Sequence, residues 1–316
     1  MKRCMKCMRE FKDVYDMCPY CGQEVGEPQK EIYFLPTGTM LAERYEIGMS
    51  VGSGGFGITY RAWDHNLEKE VAVKEYFPVG LVNRIPGEMN IIVYSGNRTQ
   101  EYANGMQRFL EEARSMARFN THPNIVNVYD FFEENHTAYI IMEFLDGVNY
   151  KEYIKLQGGQ IPLEMALQIT NGVLEALKEV HSAGILHRDI SPDNVFLCRD
   201  GRIKLIDFGA ARFSNTEEAK TRTIILKPGF APPEQYQTKS KQGPWTDIYA
   251  VGAMLYRAVT GTVPEESVNR VEEDTLVPPN KLCAQLSQRQ NNAILRAMSL
   301  LPEIRFQDAA SFQKAL

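Results

Sequence analysis

Short apolar runs in the first half of the chain alternate with polar residues, which is the two-residue period of β-strands. Tyr45–Ile47 and Ile58–Tyr60 have this pattern on either side of the glycine-rich segment Gly52–Gly57. Val71–Lys74 is a third such run and ends on a lysine, and Asn90–Tyr94 could form an extra strand. Because glycine tolerates tight turns, we expect the glycine-rich segment to be a hairpin between two strands.

Helical spacing appears in two longer segments. Arg108–Phe119 carries apolar residues that share one helix face, and Leu163–Ser182 continues a helical pattern almost to Gly184. The first face consists of Phe109, Ala113, Met116 and Ala117. A long connection, Phe77–Met106, separates the Val71–Lys74 strand from the first helix, and connections of this length are often functional or mobile.

The composition fits a large globular domain with a small additional module. The chain has 316 residues, of which 44% are hydrophobic, and a formal net charge of -5. A mildly acidic chain offers no broad basic surface for nucleic acid. Neither a run of about twenty apolar residues nor a signal peptide is recognisable, so we expect a cytoplasmic protein without a membrane segment.

Four cysteines near the amino terminus form two pairs with metal-ligand spacing. Cys4 and Cys7 are followed, after ten intervening residues, by Cys18 and Cys21. Two such pairs predict a four-cysteine zinc site. A segment of about twenty residues cannot bury enough apolar surface to fold without a metal. Disulfides are the competing interpretation and an iron–sulfur cluster a more remote one, but a reducing cytoplasm favours zinc.

Two roles are compatible with the residues of this amino-terminal module. Five basic side chains make it locally basic, which could suit nucleic acid, although a soluble charged face is the stronger explanation. They are Lys2, Arg3, Lys6, Arg9 and Lys12. We expect a docking or regulatory role. The other two cysteines, Cys198 and Cys283, are expected to be ordinary packed residues.

Two motifs in the second half of the chain carry most of the chemical information. His187–Asn194 reads HRDISPDN, and Asp207–Gly209 reads DFG. Together with Gly52–Gly57 and Val71–Lys74 they stand in the order of the protein kinase signature set. A dinucleotide-binding fold would continue from its glycines into a helix rather than a strand. The chain therefore resembles the eukaryotic-like protein kinases, particularly the bacterial Ser/Thr kinases.

This resemblance covers roughly Tyr45–Leu316 and implies an α+β, bilobal fold. A small antiparallel-sheet lobe with one main helix and a larger helical lobe would hold ATP in the cleft. We accordingly divide the chain into a zinc-ribbon-like module (1–22), a linker (23–40) and a kinase domain (41–316). The small lobe would span about 41–144 and the large lobe about 145–316, ending inside the family's last helix.

The resemblance also implies catalytic roles. Asp189 would accept the proton of the acceptor hydroxyl, while Asn194 and Asp207 would hold Mg²⁺ (or Mn²⁺) on the phosphates of ATP. Lys74 would contact the nucleotide and pair with a glutamate of the Arg108–Phe119 helix. Glu112 fits the family spacing better, and Glu111 is the alternative partner.

Further residues would surround the nucleotide. Met142 would be the gatekeeper, and the backbone of Glu143 and Leu145 would meet adenine. The remaining contacts would come from Val51, Gly52, Ser53, Gly54, Gly55, Phe56, Gly57, Thr59 and Ala72. Thr59 replaces the family's usual valine, but its similar shape should preserve nucleotide binding.

Two structural interactions are implied as well. Trp245–Gly252 resembles the central buried helix of the large lobe, where Asp247 should brace the backbone of the catalytic loop. Glu234 should form a buried ion pair with Arg305. Loss of one partner of such a pair should destabilise the fold by a few kcal/mol.

The chain departs from the family at two positions near Asp189. Ser191 stands where the family usually has a lysine that touches the transferred phosphate, and Lys227 stands where Ser/Thr kinases usually have a threonine. We hypothesise that Lys227 supplies the charge missing at position 191. The alternative is that Lys227 is a solvated loop residue and Ser191 marks a weakened enzyme.

Arg188 suggests control by phosphorylation of the activation segment, because arginine pairs bidentately with phosphate. Thr221 and Thr223 are the best candidates, and Ser214 and Thr216 are weaker ones. We therefore interpret the chain as a kinase that transfers the γ-phosphate of ATP to Ser or Thr of protein substrates, itself included. The rival hypothesis is a pseudokinase, a scaffold that acts through its zinc ribbon.

Overall fold

The described residues form two compact units. The structure, a computed structural model, describes residues 1–55, 57–207, 212–213, 226–237 and 240–316. Unit 1 consists of Met1–Arg118 and Asn127–Leu145, and unit 2 of Phe119–Val126 and Asp146–Leu316. Seven residues named in the predictions lie outside the described ranges: Phe56, Phe208, Gly209, Ser214, Thr216, Thr221 and Thr223.

Unit 1 is built on a six-stranded antiparallel sheet with one long helix. Its elements are β1 (Lys2–Arg3), β2 (Glu10–Phe11), β3 (Met40–Leu41), β4 (Tyr45–Gly54), β5 (Gly57–Asp64), β6 (Lys69–Tyr76), β7 (Val82–Arg84), β8 (Ile91–Val93), α1 (Asn97–Ala117), β9 (Val128–Glu134) and β10 (Thr137–Glu143). The large sheet has the order β3-β4-β5-β6-β10-β9, while β1 pairs with β2 and β7 with β8. The strands predicted around the glycines, at Val71–Lys74 and at Asn90–Tyr94 are confirmed.

The start of α1 corrects one predicted boundary. The helix begins at Asn97, so the last ten residues of the predicted connection Phe77–Met106 are helical. Its first turns are mostly polar, which is why apolar spacing did not reveal them. Gly96, with a φ of 82°, makes the turn that precedes the helix, a conformation for which glycine is suited.

The segment predicted as a linker packs against the sheet of unit 1. Phe34 and Leu35 are buried, and the Leu35 N–H donates to the Tyr60 hydroxyl at 3.0 Å. The Gln29 side chain binds the backbone of β4 at Gly48 and Ser50. These residues connect the amino-terminal module to β3 and also contact β4 and β5.

A buried ion pair joins β6 to the β7–β8 hairpin. Arg84 and Glu75 are both fully buried, and the guanidinium binds both carboxylate oxygens. The hydroxyls of Tyr60 and Tyr139 donate to the same carboxylate at 3.0 and 3.1 Å. Because every oxygen of Glu75 has donors, this charge is tolerated in the interior. The hairpin thus contributes a structural cation to the strand that carries Lys74.

Unit 2 is mainly helical. Its elements are β11 (Gly147–Asn149), α2 (Tyr150–Leu156), α3 (Leu163–Ser182), β12 (Ile185–Leu186), β13 (Val195–Cys198), β14 (Ile203–Leu205), β15 (Arg212–Phe213), α4 (Pro233–Tyr236), α5 (Pro244–Thr260), α6 (Ser267–Glu272), α7 (Gln288–Ala297) and α8 (Ala309–Ala315). Helix α5 is buried along most of its length and packs against α3 and α7. The predicted α+β class is confirmed. Within the described ranges, no helix combines the length and apolar character needed to cross a bilayer.

Candidate active site

The predicted catalytic loop follows β12 and is fastened to α5 by Asp247. This carboxylate accepts the backbone N–H groups of His187 and Arg188 at 2.9 and 2.7 Å and the His181 Nε2 at 2.8 Å. Burial alone would raise the pKa of Asp247, but the His181 hydrogen bond and neighbouring donors hold it below its usual value. The predicted bracing role of Asp247 is confirmed.

The backbone at Arg188 adopts an unusual conformation. Its φ is 65°, a left-handed geometry that non-glycine residues rarely adopt. The Arg188 carbonyl accepts from the Gln235 side chain at 2.8 Å, so α4 and Asp247 hold this turn from two sides. The neighbouring His187 is buried, which lowers its pKa to about 4 and keeps its imidazole neutral. The backbone of the two residues that precede Asp189 is therefore held in place.

Asp189 is oriented by Asn194. The Asn194 amide donates to both Asp189 Oδ2 and the Asp189 carbonyl at 2.8 Å. Burial raises the pKa of Asp189 to about 6, against the opposing charge of Lys227 and the Asn194 hydrogen bond. A carboxylate with a pKa close to neutral pH is suited to proton transfer, because it can both accept and release a proton.

Lys227 lies against the catalytic loop. Its Nζ donates to Ser191 Oγ at 2.8 Å and lies 3.7 Å from Asp189 Oδ2 and 3.7 Å from Asp193 Oδ2. Ser191 is fully buried, whereas the Lys227 side chain is 30% exposed. The Lys227 ammonium therefore lies beside position 191. The hypothesis that Lys227 supplies the charge missing at position 191 requires this placement. The catalytic use of that charge remains a prediction.

Asp207 follows β14 and is the last residue described before a gap. Its φ is 67°, again in the left-handed region. The Ile206 N–H donates to the Asn194 carbonyl at 2.9 Å, so the two predicted magnesium ligands are neighbours through adjacent backbone. An amide oxygen and a carboxylate are ligands that Mg²⁺ accepts, and the ion would neutralise phosphate charge at this place. The donor set fits the metal.

Within unit 1, Lys74 of β6 lies opposite Thr59 of β5 and Ile140 of β10. Its ammonium is 3.4 Å from the carboxylate of Glu112 on α1. Glu111 is exposed and binds Gln107 instead, so the geometry favours Glu112 over the alternative partner. The arrangement gives the strand an oriented ammonium, which can bind phosphate oxygens.

The glycine-rich loop and the adenine candidates also belong to unit 1. Val51–Gly55 is exposed, and Thr59, Ala72 and Met142 lie on neighbouring strands of the sheet. The Glu143 N–H donates to the Asn127 carbonyl at 2.9 Å, so an adenine contact at this residue would use its carbonyl oxygen.

The predicted pair of Glu234 and Arg305 is confirmed. Arg305 Nη1 and Nη2 bind the two carboxylate oxygens at 2.6 and 3.1 Å, and both side chains are buried. Thr246 Oγ1 adds a third donor at 3.0 Å. This pair joins the end of the activation segment to the last part of unit 2 and is structural.

Sequence reasoning missed two residues that contact the predicted catalytic loop or its neighbours. Asp193 shares Lys227 with Asp189 and also binds Lys151 at 3.0 Å. Gln235 supports the Arg188 carbonyl from α4. Asp193 was visible inside the catalytic motif, since it directly precedes Asn194, but its partner lies 34 positions later in the chain. Only the folded arrangement reveals that contact.

The four amino-terminal cysteines converge on one point. The sulfur atoms of Cys4 and Cys21, and those of Cys7 and Cys18, are 3.6 Å apart, and all four lie within 4.8 Å of one another. A tetrahedral zinc with Zn–S bonds of about 2.3 Å would place its sulfurs about 3.8 Å apart. No disulfide joins these four cysteines, all of which lie in the described ranges. The donor set and spacing fit zinc.

Comparisons with known proteins agree with this geometry. The model of the protein kinase domain family matches residues 45–301. A probable serine/threonine-protein kinase of Clostridium acetobutylicum is 33% identical over 86% of this chain and 39% of its own length. Serine/threonine-protein kinase PrkC of Bacillus subtilis is 31% identical over 87% of this chain and 40% of its own.

A solved structure, "PpkA-294 apo form", matches with a TM-score of 0.79 and 37% identity, covering 90% of this chain and 99% of that one. The chain spans about two fifths of the length of the curated relatives named above. A family match over most of the chain, an equivalent fold and a braced catalytic loop lead to one conclusion. The chain belongs to the protein kinase domain family.

Proposed function

We propose that this protein transfers the γ-phosphoryl group of ATP to serine or threonine hydroxyls of protein substrates, and of itself. The observation that carries the proposal is the placement of Lys227 beside Asp189 and Asn194, whose loop is held by Asp247. Phosphoryl transfer needs positioning and charge neutralisation more than covalent help, and this cluster offers both. The names of the relatives support the Ser/Thr specificity.

In this mechanism Asp189 accepts the proton of the attacking hydroxyl. Its Oδ2 is held by Asn194, which leaves Oδ1 to face the acceptor. Lys227 then neutralises charge that develops on the transferred group. A preorganised cation of this kind in a partly dry site is worth about 10²–10³-fold in rate. Asn194 and Asp207 would hold Mg²⁺ (or Mn²⁺), which supplies further neutralisation of the phosphates.

In unit 1, Lys74 would bind phosphate oxygens while Glu112 keeps its ammonium in place. The glycine-rich loop would cover the phosphates, with the sheet residues Thr59, Ala72 and Met142 against the base. These roles rest on family membership and on the placement of each residue within its own strand. We propose the same nucleotide-binding role for the other residues of the glycine-rich segment Gly52–Gly57. Phe56 of this segment lies outside the described ranges.

The cysteine module would hold structural Zn²⁺, and the use of ATP favours a reducing cytoplasm. A docking partner for this module is part of the proposal. The pseudokinase alternative is supported only by Ser191. The Lys227 ammonium beside that serine weakens this support. The relatives named above, which are called kinases, also lend the scaffold hypothesis no support.

The test is the intact mass of the phosphatase-treated chain after incubation with MgATP. We expect gains of one phosphate, about 80 Da each, in the parent protein and none in Asp207→Asn. Mapping the modified residues would test Thr221 and Thr223. No gain in the chain and none in a generic Ser/Thr peptide would reject the kinase proposal and return the scaffold hypothesis.

A further inference from the structure

The cysteine module is attached to the strand that leads into the glycine-rich loop. Met5, between Cys4 and Cys7, accepts a hydrogen bond from the Met49 N–H through its carbonyl oxygen at 2.6 Å. Met49 belongs to β4, at a place where the β4–β5 register shifts: Ile47 faces Ala62, and Ser50 faces Tyr60. Two residues of β4 therefore oppose one residue of β5, which is a β-bulge. The module completes the hydrogen bonding that the bulge interrupts.

Met8 and Met5 of the module also pack closely against Gly48 of β4. Met8 is 1% exposed, and a Cβ added at Gly48 would lie 1.9 Å from Met8 Cε and 2.3 Å from the Met5 carbonyl oxygen. Only glycine permits such an approach of the module to the β4 backbone. The contact is thus built into both partners, by a buried methionine on the module and a glycine on the strand.

Arg3 anchors the same interface from the residue next to Cys4. Its guanidinium lies 3.9 Å from the ring centroid of Trp63 on β5, and its Nε is 3.5 Å from Glu46 on β4. It also donates to the Met8 carbonyl at 2.8 Å within the module. Arg61 of β5 returns a hydrogen bond to the Lys6 carbonyl at 3.2 Å. The module therefore holds two neighbouring strands.

Gln29 also forms hydrogen bonds to the backbone of the bulge. Its side chain donates to the Gly48 carbonyl at 2.8 Å and accepts from the Ser50 N–H at 3.0 Å. Directly after Ser50 the chain is exposed through Gly55. Among the described residues, none lies within 4 Å of a Cβ added at Gly52, Gly54 or Gly55. The supported part of β4 thus ends where the glycine-rich loop begins.

The order of the module depends on its cysteines. Its buried cluster consists of three cysteines and Phe11, with Cys21 packed against it. Such a cluster is too small to fix the backbone without a metal that joins the sulfurs. Loss of the metal would release the Cys4–Cys7 turn, and with it the Met5 carbonyl and the Met8 side chain.

We propose that the cysteine module positions the glycine-rich loop through Met5 and Met8, so that nucleotide affinity depends on the metal held by the cysteines. Met8 and Met5 are positioning residues, because they act on the loop through β4 and touch no nucleotide. The inference rests on the proposed ATP and zinc binding. It also gives the module a role within the chain, whether or not another protein docks on it.

The experiment compares the full-length parent chain, Met8→Ala and the control Met17→Ala, which alters an exposed methionine of the same module. Zinc content, the dissociation constant of a fluorescent ADP analogue with Mg²⁺, and amide hydrogen exchange of residues 48–55 are measured. A fourth sample is the parent stripped of metal by a chelator, with circular dichroism to check that the kinase domain stays folded.

We expect Met8→Ala to retain its zinc, to bind the analogue about tenfold more weakly and to exchange the Met49 amide faster. Stripped parent protein should behave in the same way, and Met17→Ala like the parent. Unchanged affinity and unchanged Met49 exchange in both Met8→Ala and stripped protein would overturn the inference. So would a parent chain that holds no zinc.

The proposed kinase function fails by a different result. If the parent protein neither binds the analogue nor transfers phosphate, the kinase proposal is rejected. The exchange of the Met49–Gly55 amides still reports whether metal and strand are coupled, because that measurement needs no nucleotide. Coupled exchange without nucleotide binding would leave the module attached to the loop but overturn the claim about affinity.

Discussion

Two cation–carboxylate pairs in unit 2 have opposite designs. Arg305 and Glu234 are buried, share two hydrogen bonds, and spend the remaining guanidinium donors on backbone carbonyls of Trp245, Ser299 and Leu300. Lys227 and Asp189 are about 30% exposed, lie 3.7 Å apart, and share no direct hydrogen bond. The first pair uses all its guanidinium donors, whereas in the second pair Lys227 donates to Ser191 and Asp189 Oδ2 accepts from Asn194, so the two side chains are not bonded to each other.

This difference separates stability from function. Removing one partner of a buried, fully bonded pair lowers the free energy of unfolding by several kcal/mol, because the other charge stays buried and unpaired. A loose pair contributes little to stability, since partly exposed charges at this distance are screened by solvent. We propose that its carboxylate and its ammonium meet a hydroxyl and a phosphoryl group during transfer. We therefore propose a structural role for Arg305 and a chemical role for Lys227.

The largest effect is expected for Asp189→Asn. Phosphoryl transfer should fall by about 10²–10⁴-fold, because the proposed proton acceptor is lost. Stability should be kept or increased. The folded-state pKa of about 6 lies above that of an unfolded aspartate, so ionised Asp189 favours unfolding as pH rises from about 4 to 6. Initial rates and urea unfolding at pH 7.5 test both parts, and a large loss of stability would contradict them.

Arg305→Met should show the reverse behaviour. Removing the guanidinium leaves Glu234 buried without its partner and should lower the free energy of unfolding by about 3–5 kcal/mol. Thermal and urea unfolding measure this, with Arg289→Met, an exposed arginine of α7, as the control. A loss below about 1 kcal/mol would show that the buried pair is not structurally important.

Lys227→Met should reduce the rate constant of transfer by about a hundredfold, the loss expected for one oriented cation. The free energy of unfolding should change by less than about 1 kcal/mol, because the side chain is partly exposed. Single-turnover kinetics with saturating MgATP isolate the chemical step. An equal loss of stability would place Lys227 with Arg305 and erase the contrast.

The pH dependence gives a finer test of the same cluster. In the parent, kcat/KM should rise with pH as Asp189 loses its proton near pH 6. Lys227 lowers the pKa of this carboxyl, so Lys227→Met should move the acidic limb to higher pH, and Lys227→Arg should leave it near its original place. A limb that does not move would remove Lys227 from the electrostatic environment of Asp189.

Lys151→Ala should have the smallest effect. Lys151 binds Asp193 at 3.0 Å, but its side chain is 69% exposed and the pair is screened. We expect the rate to change by less than about threefold and the stability by about 0.5 kcal/mol or less. A rate loss like that of Lys227→Met would mean that the cluster depends on its total charge and not on one oriented ammonium.

The sequence predicted those parts of the fold that depend on local pattern or motif order. Helix α3 has the predicted bounds, Leu163–Ser182, because its apolar spacing and the glycine after it act locally. Motif positions predicted that Asp247 binds the backbone of the catalytic loop. They also predicted the pair of Glu234 and Arg305. The contact of Lys227 with Ser191 could be proposed but not known, since 36 positions separate them and only tertiary packing joins them.

Other features had no local signal. Arg84 and Glu75 are individually typical surface residues, and their burial depends on how the β7–β8 hairpin packs beside β6. The attachment of the cysteine module to β4 depends on a bulge and on one glycine, which appear in the sequence as an ordinary Gly48. Burial of charge and bulge geometry are properties of the assembled unit, so a single sequence does not reveal them.

The most direct measurement for the central claim moves the cation back. Single-turnover transfer is compared in the parent, Lys227→Met, Ser191→Lys/Lys227→Met and Asp189→Asn. If Lys227 supplies the charge missing at position 191, the double variant should recover at least about tenfold of the roughly hundredfold loss in Lys227→Met. Transfer by Lys227→Met at the parental rate, while Asp189→Asn is inactive, would contradict the account.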